Sequence, residues 1–378
     1  MADERKVLAH SAEQIDEAVE KVLDGTVATK TDLQKKVNPN LLDNWYFGNP
    51  VNQRGGKIVP VGITYYSDTI LSTAAGTTSS PYTVTDVPST YGSISISGTT
   101  YYVAASDIVD GYILEPGTVV YTFDRWKLSY HGAYVYAKNG CLQFYATAGN
   151  NELLQTIDSK LSGETIILSA IVNDVLYCTN PATVPTSITG VNRILTTRVI
   201  PNVGYLRIYQ LASGNIACTI DTTTVTNFTI KAMKLELGTH QTLAHQDENG
   251  NWVLNEIPDY GEQLARCQRY QFVPDIGDPS FKSYQFTYVT NASGSGSGNL
   301  VGSISFPVTM RTAPSVVIAG KQVRDNSVGA FRTISSISFA FTTKDALTYL
   351  FGVAAKDSTF IEGHQYSFMD QLIFDANL

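Results

Sequence analysis

The first 38 residues carry a different periodicity from the rest of the chain. Leu8, Ala12, Ile15, Val19 and Val22 recur at spacings of 4, 3, 4 and 3, a heptad seam on an amphipathic helix. Ser11 and Gln14 fit a capping box at its start, and Gly25 stops it. The seam reads either as an oligomer contact or as a face packed on its own chain. We take the first, because nothing nearby in sequence offers it a groove. Asn38-Pro39-Asn40 ends the helical pattern.

From Leu41 onward the period is two. The pattern predicts strands over 57–66, 91–97 and 99–105, and one core strand over 119–130. Residues 130–137 and 141–146 read as a hairpin turning at Asn139-Gly140. Further strands are expected at 165–172, 175–177, 196–200, 204–210, 215–220 and 227–237. Met233, Leu235 and Leu237 alternate with Lys234, Glu236 and Gly238, as on a half-buried strand. Asn249-Gly250 predicts a second hairpin. Asp259 then reads as the N-cap of a short helix, with Glu262 three residues later. Its apolar face is expected to carry Tyr260, Leu264 and Cys267, extended by Gln271. Seven more strands follow around a Ser-Gly tip at 293–298.

The expected fold class is therefore mainly β: a short N-terminal helical (coiled-coil) segment, then two β-sandwich or jelly-roll domains joined by a short helix. The boundaries are 1–39 for the helical attachment or oligomerisation segment, 40–258 for the first sandwich with an insertion at about 57–120, and 259–378 for the linker helix and C-terminal sandwich.

Composition narrows the function. Charged residues are only 16% of the chain, and the net charge is -8, against a nucleic-acid surface of clustered Lys and Arg. The N-terminus lacks the apolar core of a signal peptide, and no apolar run reaches membrane-spanning length. The expectation is synthesis in a cytoplasm without a signal peptide, no membrane insertion and no nucleic-acid partner.

Candidate chemistry is sparse. Cys141, Cys178, Cys218 and Cys267 have no C-x-x-C spacing, so zinc is not expected, and buried free thiols are the default. The five histidines form no H-E-x-x-H or H-x-H pair. Asp107 with Asp110, and Asp275 with Asp278, are the nearest carboxylate pairs, and they read as turn or strand-end residues. Residues 247–251 look like a calcium loop, but Trp252 stands where the loop needs glycine, and a hairpin turn explains them better. No cofactor is expected, with a structural calcium left open. No catalytic constellation appears, so an enzyme is not expected. The aromatic candidates for stacking on a sugar ring are Tyr130, Tyr134 and Tyr136; Trp126 reads as core.

Four segments carry a resemblance. They are NLLDNWYFGNPVNQR from Asn40 to Arg54, YTFDRW from Tyr121 to Trp126, KLELG with YGEQLARCQRY from Lys234 to Tyr270, and FPVTMRTAP from Phe306 to Pro314. In this order they resemble bacteriophage tail-fibre and receptor-binding proteins with a carbohydrate-binding-module-like sandwich. The second aromatic expected after CQRY is Gln271 here. The resemblance implies a homotrimer in a virion tail, held to other tail proteins through its N-terminus. It also implies recognition of a bacterial surface polysaccharide during host adsorption. A structural fibre or spacer without a ligand, and a tailspike-like glycan-degrading enzyme, are the alternatives.

Overall fold

The computed structural model describes residues 38–60, 63–67, 71–73, 91–96, 99–157, 161–187 and 190–274, and then 285–290, 298–301, 306–318, 322–333, 338–341, 350–352, 360–368 and 372–376. Among these the chain is mainly β, with antiparallel sheets and one α-helix, Tyr260–Gln268. The helical segment expected over 1–39 lies outside the described residues except for Asn38 and Pro39.

Two sheets share one core. The six-stranded sheet runs Arg193–Ile200, Gly204–Gln210, Ile216–Thr222, Glu152–Ile157, Lys127–Ser129, Val119–Tyr121. The path of the eight-stranded sheet runs Lys57–Ile58, Val109–Leu114, Ala133–Lys138, Cys141–Ala146, Thr226–Leu237, Thr165–Val172, Val175–Cys178, with Ala182–Thr183 also paired to Thr165–Val172. Alternation decides what enters between them. Leu142, Phe144 and Ala146 point in from one sheet; Leu153, Leu206, Ile208 and Ile220 point in from the other. Phe144 and Phe228 stack at 4.9 Å, and Trp126 is wholly buried. Each such side chain contributes about 1.5–3 kcal/mol by leaving water.

Several expected elements are refined. The hairpin at Asn139-Gly140 is present, with φ of 54° and 73° at its two turn residues, the left-handed pair a tight turn requires. The single strand expected over 119–130 is instead a hairpin, Tyr121 opposite Lys127. Its turn has no Gly, Pro or Asn; Arg125 takes φ 72° because its side chain is held from several sides, as described below. Glu152–Ile157 is a central strand that the pattern did not announce. Lys57–Ile58 and Val109–Leu114 pair within the eight-stranded sheet, and between them the chain builds a separate four-stranded sheet.

Lys234 and Glu236 correct a simpler expectation. A register shift near Ile171 moves the inward set of Thr226–Leu237 from Phe228 and Ile230 to Met233 and Leu235. Lys234 and Glu236 then face outward, yet both are fully buried. The segment from Thr242 onward, with the hairpin Ala244–Gln246 and Trp252–Leu254, supplies their partners. Lys234 Nζ donates to Thr242 Oγ1 at 3.0 Å and lies 3.3 Å from Glu256 Oε1; Thr242 N and Oγ1 donate to Glu236 at 2.7 and 2.6 Å.

One buried polar node ties three of the four segments of the resemblance together. Arg125 Nε donates to Asp43 Oδ2 at 3.1 Å, and Arg266 Nε donates to Asp43 Oδ1 at 2.8 Å. Asp43 N and O exchange hydrogen bonds with the Gln155 amide at 2.7 and 2.8 Å. Asn44, at φ 50°, accepts from Val51 N and donates to Val51 O and Asp124 O. Trp126 Nε1 donates to Asn44 O at 2.9 Å, and Asn44 N donates to Gln263 Oε1 at 2.8 Å. Arg125 also donates to Thr156 O at 2.7 Å and lies 3.5 Å above the Tyr270 ring.

The helix is built to meet this node. Asp259 caps it, accepting from Glu262 N at 3.0 Å. Its buried face is Gln263 and Cys267, one turn apart, while Tyr260 is exposed. The face is thus rotated from the apolar one expected, because it docks on Asp43 and Asn44 through polar groups. Beyond it, Gln271–Phe272 joins Leu372–Asp375 and Ser315–Ile318 in a three-stranded sheet. A five-stranded sheet also forms, ordered Gly298–Val301, Gln285–Thr290, Gln365–Phe368, Gln322–Asp325, Ala330–Thr333. Phe272, Phe306 and Phe374 pack with ring centroids 5.1 to 6.0 Å apart. Arg54 Nε donates to Gln271 Oε1 at 2.6 Å, joining this part to the first sandwich.

Removing one member of a buried ion pair strands the other. Asp43→Ala leaves Arg125, with a side chain only 3% exposed, without its carboxylate. The expected loss is about 3–5 kcal/mol of stability. Urea denaturation at neutral pH reads it; a loss under about 1 kcal/mol, the range of a surface pair, refutes the role of this node.

Candidate functional site

The outer face of the six-stranded sheet carries a row of polar and aromatic side chains. Along Gly204–Gln210, Leu206 and Ile208 enter the core, so Tyr205, Arg207 and Tyr209 face outward. In register, Tyr205 stands beside Asp221, Asp221 beside Glu152, and Glu152 beside Ser129. Directly opposed residues share a face, so these four form one row over four strands. At ordinary strand spacing the row is about 14 Å long. Arg207 and Thr219 begin the next row.

A pocket of about 270 Å³ opens over this face, lined by Tyr130, Asn151, Glu152, Arg207, Tyr209 and Asp221 among others. Arg207 Nη1 donates to Asp221 Oδ2 at 2.5 Å and to the Tyr209 hydroxyl at 3.3 Å. Its guanidinium lies 4.1 Å from the Tyr205 ring centroid, a cation–π contact. Asp221 Oδ1, Arg207 Nε and Thr219 Oγ1 are all shielded from solvent, and the Thr219 hydroxyl interacts with the Asp221 carboxylate.

Local structure sets this geometry. Asn151 is fully buried and pins the rim: its Oδ1 accepts from His131 N and Gly132 N, both at 2.9 Å, and its Nδ2 donates to Ala148 O at 2.7 Å. Tyr130 precedes those two residues at φ 95°, a strained value for a tyrosine, and is 54% exposed. Gly204, at φ 153°, lets two strands close: a Cβ there would lie 2.0 Å from Asp221 O.

Burial and a neighbouring carboxylate shift the titration of Glu152. Burial pushes the Glu152 carboxyl up to about 7, and the Asp221 charge adds to it; Ser129, Arg207 and Tyr130 pull the other way. Burial also raises Asp221, opposed first by the Thr219 hydroxyl and then by Arg207. The Glu152 charge, first, raises the Tyr130 phenol. Near neutral pH the Glu152 carboxyl is therefore partly protonated.

The three tyrosines named from sequence are divided between two faces. Tyr130 lines this pocket. Tyr134 and Tyr136 lie on Ala133–Lys138 of the other sheet, opposite the core-facing Ala133 and Val135. Tyr134 pairs edge-on with Tyr145 across the strands, centroids 6.2 Å apart, and Tyr136 is buried. Tyr205, Tyr209, Arg207, Glu152 and Asp221 escaped the sequence reading. The alternation of YLRIYQ held a signal for the first three. Nothing local joins Glu152 to Asp221; only strand register does.

The remaining candidates are committed elsewhere. The Asp247 carboxylate accepts from Asn249 N, Asn251 N and Asn251 Nδ2, so its own loop consumes it. Asp110 is ion-paired to Lys57, while Asp275 and Asp278 lie outside the described residues. All four cysteines are free thiols. Among the described residues, no three His, Cys, Asp or Glu side chains gather as a metal site. A larger cleft of about 560 Å³ separates the helix from Val308, Thr309, Met310 and Arg311. Arg266, on its wall, is bound to Asp43 and to the carbonyls of Asn40 and Leu42.

Two measurements check this site. Glu152 keeps its proton in the folded state at pH values where an unfolded glutamate, near 4.3, has lost it. Its stabilising contribution is full below the unfolded value and is lost as pH rises through about 7. Wild type should therefore lose stability relative to Glu152→Gln between pH 5 and 8; a constant difference refutes the shift. Asn151→Ala leaves two backbone donors unsatisfied, an expected cost of about 1–3 kcal/mol per stranded group. Near-neutral stability in thermal unfolding would show that Asn151 does not hold the rim.

No protein-family model matches the chain, and none of the curated proteins matches it.

Proposed function

We propose that this chain is a bacteriophage tail-fibre or receptor-binding protein that recognises a bacterial surface glycan during host adsorption. The observation that carries it is the pocket on the six-stranded sheet. It sets Tyr130, Tyr205 and Tyr209 beside Glu152, Arg207 and Asp221. Sugar rings present an apolar C–H face and a rim of hydroxyls. Aromatic rings cover the first, and charged or amide groups bond the second. A row of about 14 Å suits one or two rings. The site is shallow and wet, so affinity per site is weak. The order of the four resembling segments adds the phage context, with 1–39 attaching the protein to other tail proteins.

A homotrimer belongs to the same proposal, since three weak sites on one stalk gain avidity without new contacts. Light scattering of the full chain should give three copies; a monomer at micromolar concentration refutes the trimer.

A second reading rests on one observation. Glu152 and Asp221 are paired carboxyls on one face, the equipment of a glycosidase, with Glu152 able to hold a proton near neutral pH. Release of reducing ends from bacterial polysaccharide, abolished by Glu152→Gln, favours cleavage over binding alone.

The binding reading is checked on cells. Tyr130→Ala and Tyr209→Ala should each weaken adsorption of the full-length protein to susceptible bacteria by about tenfold, worth about 1.4 kcal/mol. Unchanged adsorption by both variants removes this pocket from the receptor site.

A further inference from the structure

We infer that Tyr130 is held in a strained turn as a pre-set aromatic platform for the flat face of a sugar ring, with His131 as the positioning residue that braces it. The inference rests on the glycan-binding reading and specifies how the ligand is met. The chain passes from one sheet to the other in three residues. Lys127–Ser129 belongs to the six-stranded sheet and Ala133–Lys138 to the eight-stranded one, so Tyr130, His131 and Gly132 make the crossing. Two of the three take positive φ, 95° at Tyr130 and 121° at Gly132. Glycine adopts such angles freely, whereas a residue with a Cβ is strained there. Position 132 carries the residue that the backbone asks for, and position 130 carries a tyrosine instead.

Packing does not explain that tyrosine. Tyr130 is 54% exposed, and His131 is exposed beside it. Along a regular strand, neighbouring side chains point to opposite faces. Here the turn brings the two rings together, with centroids 6.4 Å apart and planes 30° from parallel. The Tyr130 phenol also bonds the Glu152 carboxyl, which fixes the tip of the ring. The backbone beneath is held at each step. Tyr130 N donates to Thr118 O at 3.4 Å, and Tyr130 O accepts from Gly117 N at 2.7 Å. Asn151 Oδ1 accepts from His131 N and Gly132 N. The pocket lining includes Tyr130 and not His131, so the imidazole supports the tyrosine ring from beside the pocket.

Strain persists only where the surrounding structure enforces it, and strained residues cluster at ligand sites. At an exposed aromatic residue the enforced conformation has a use. A ring already fixed in place loses little rotamer freedom when a ligand arrives. Its flat face matches the apolar C–H face of a sugar ring. Because the contact is made by the ring, it needs nothing from the shielded atoms of Asp221 and Arg207 beneath.

The test pairs thermal unfolding with adsorption of the full-length protein to susceptible bacteria. Tyr130→Gly relieves the backbone angle and removes the ring. It should unfold at a temperature no lower than wild type, yet adsorb about tenfold less tightly. Tyr130→Phe keeps the ring and loses only the hydroxyl, and it should adsorb several-fold better than Tyr130→Gly. His131→Ala should weaken adsorption with thermal unfolding unchanged, and His131→Phe should recover what His131→Ala loses. A Tyr130→Gly protein less stable than wild type overturns the inference, since the tyrosine then serves the fold. So does a Tyr130→Phe variant as defective in adsorption as Tyr130→Gly. If Tyr130→Gly adsorbs normally while Tyr209→Ala does not, the inference falls and the glycan-binding reading of the pocket stands. If both adsorb normally, both fall.

Discussion

The structure depends on a carboxylate buried at a three-way junction. Asp43 faces Arg125 from the short hairpin and Arg266 from the helix, and its backbone is clamped by Gln155. Charges so deeply buried are tolerable only when every partner is in place. The entry segment, the hairpin, the central strand and the helix must therefore assemble together. Asn44 extends the same logic without charge, its amide standing in for missing sheet bonds to Val51 and Asp124. Hydrophobic burial supplies the bulk of the stability, yet it is indifferent to direction. The polar node is what specifies which segment meets which.

This node and the candidate pocket share a strand. Gln155 points inward from Glu152–Ile157 to hold Asp43, and Thr156 O accepts from Arg125. Three residues before Gln155, Glu152 points outward into the pocket row. The site is thereby mounted on a strand that also holds the node, where a displacement would disturb the ion pair below. Its other side is fixed by Asn151 and by the close strand contact at Gly204. On the proposed reading as a binding face, such rigidity lowers the ordering cost of each encounter.

Three of the four segments that resemble phage receptor-binding proteins meet at this node, and none of them supplies a pocket residue. Asn40 to Arg54, Tyr121 to Trp126, and the helix sequence bond one another. The fourth places Phe306 against Phe272 and Phe374. In the fold these segments supply buried hydrogen bonds and packing. Buried polar complementarity tolerates few alternatives, whereas an exposed row on a sheet tolerates many.

Local sequence determined the β class, most strands, the tight turn at Asn139-Gly140 and the Asp259 cap, because each rests on contacts a few residues long. It misjudged what depends on distant partners. The hairpin at Arg125 has no Gly, Pro or Asn in its turn, and its left-handed conformation is held by Asp43, Thr156 and Tyr270. Lys234 and Glu236 have the alternation of a wet face, and only Thr242 and Glu256 make them interior. The pocket was the least legible feature of all. Tyr130 could be singled out as an aromatic, but Glu152 and Asp221 are far apart in sequence and ordinary where they stand. Strand register brings them together, and register follows from the global pairing of inward faces rather than from either residue's neighbours.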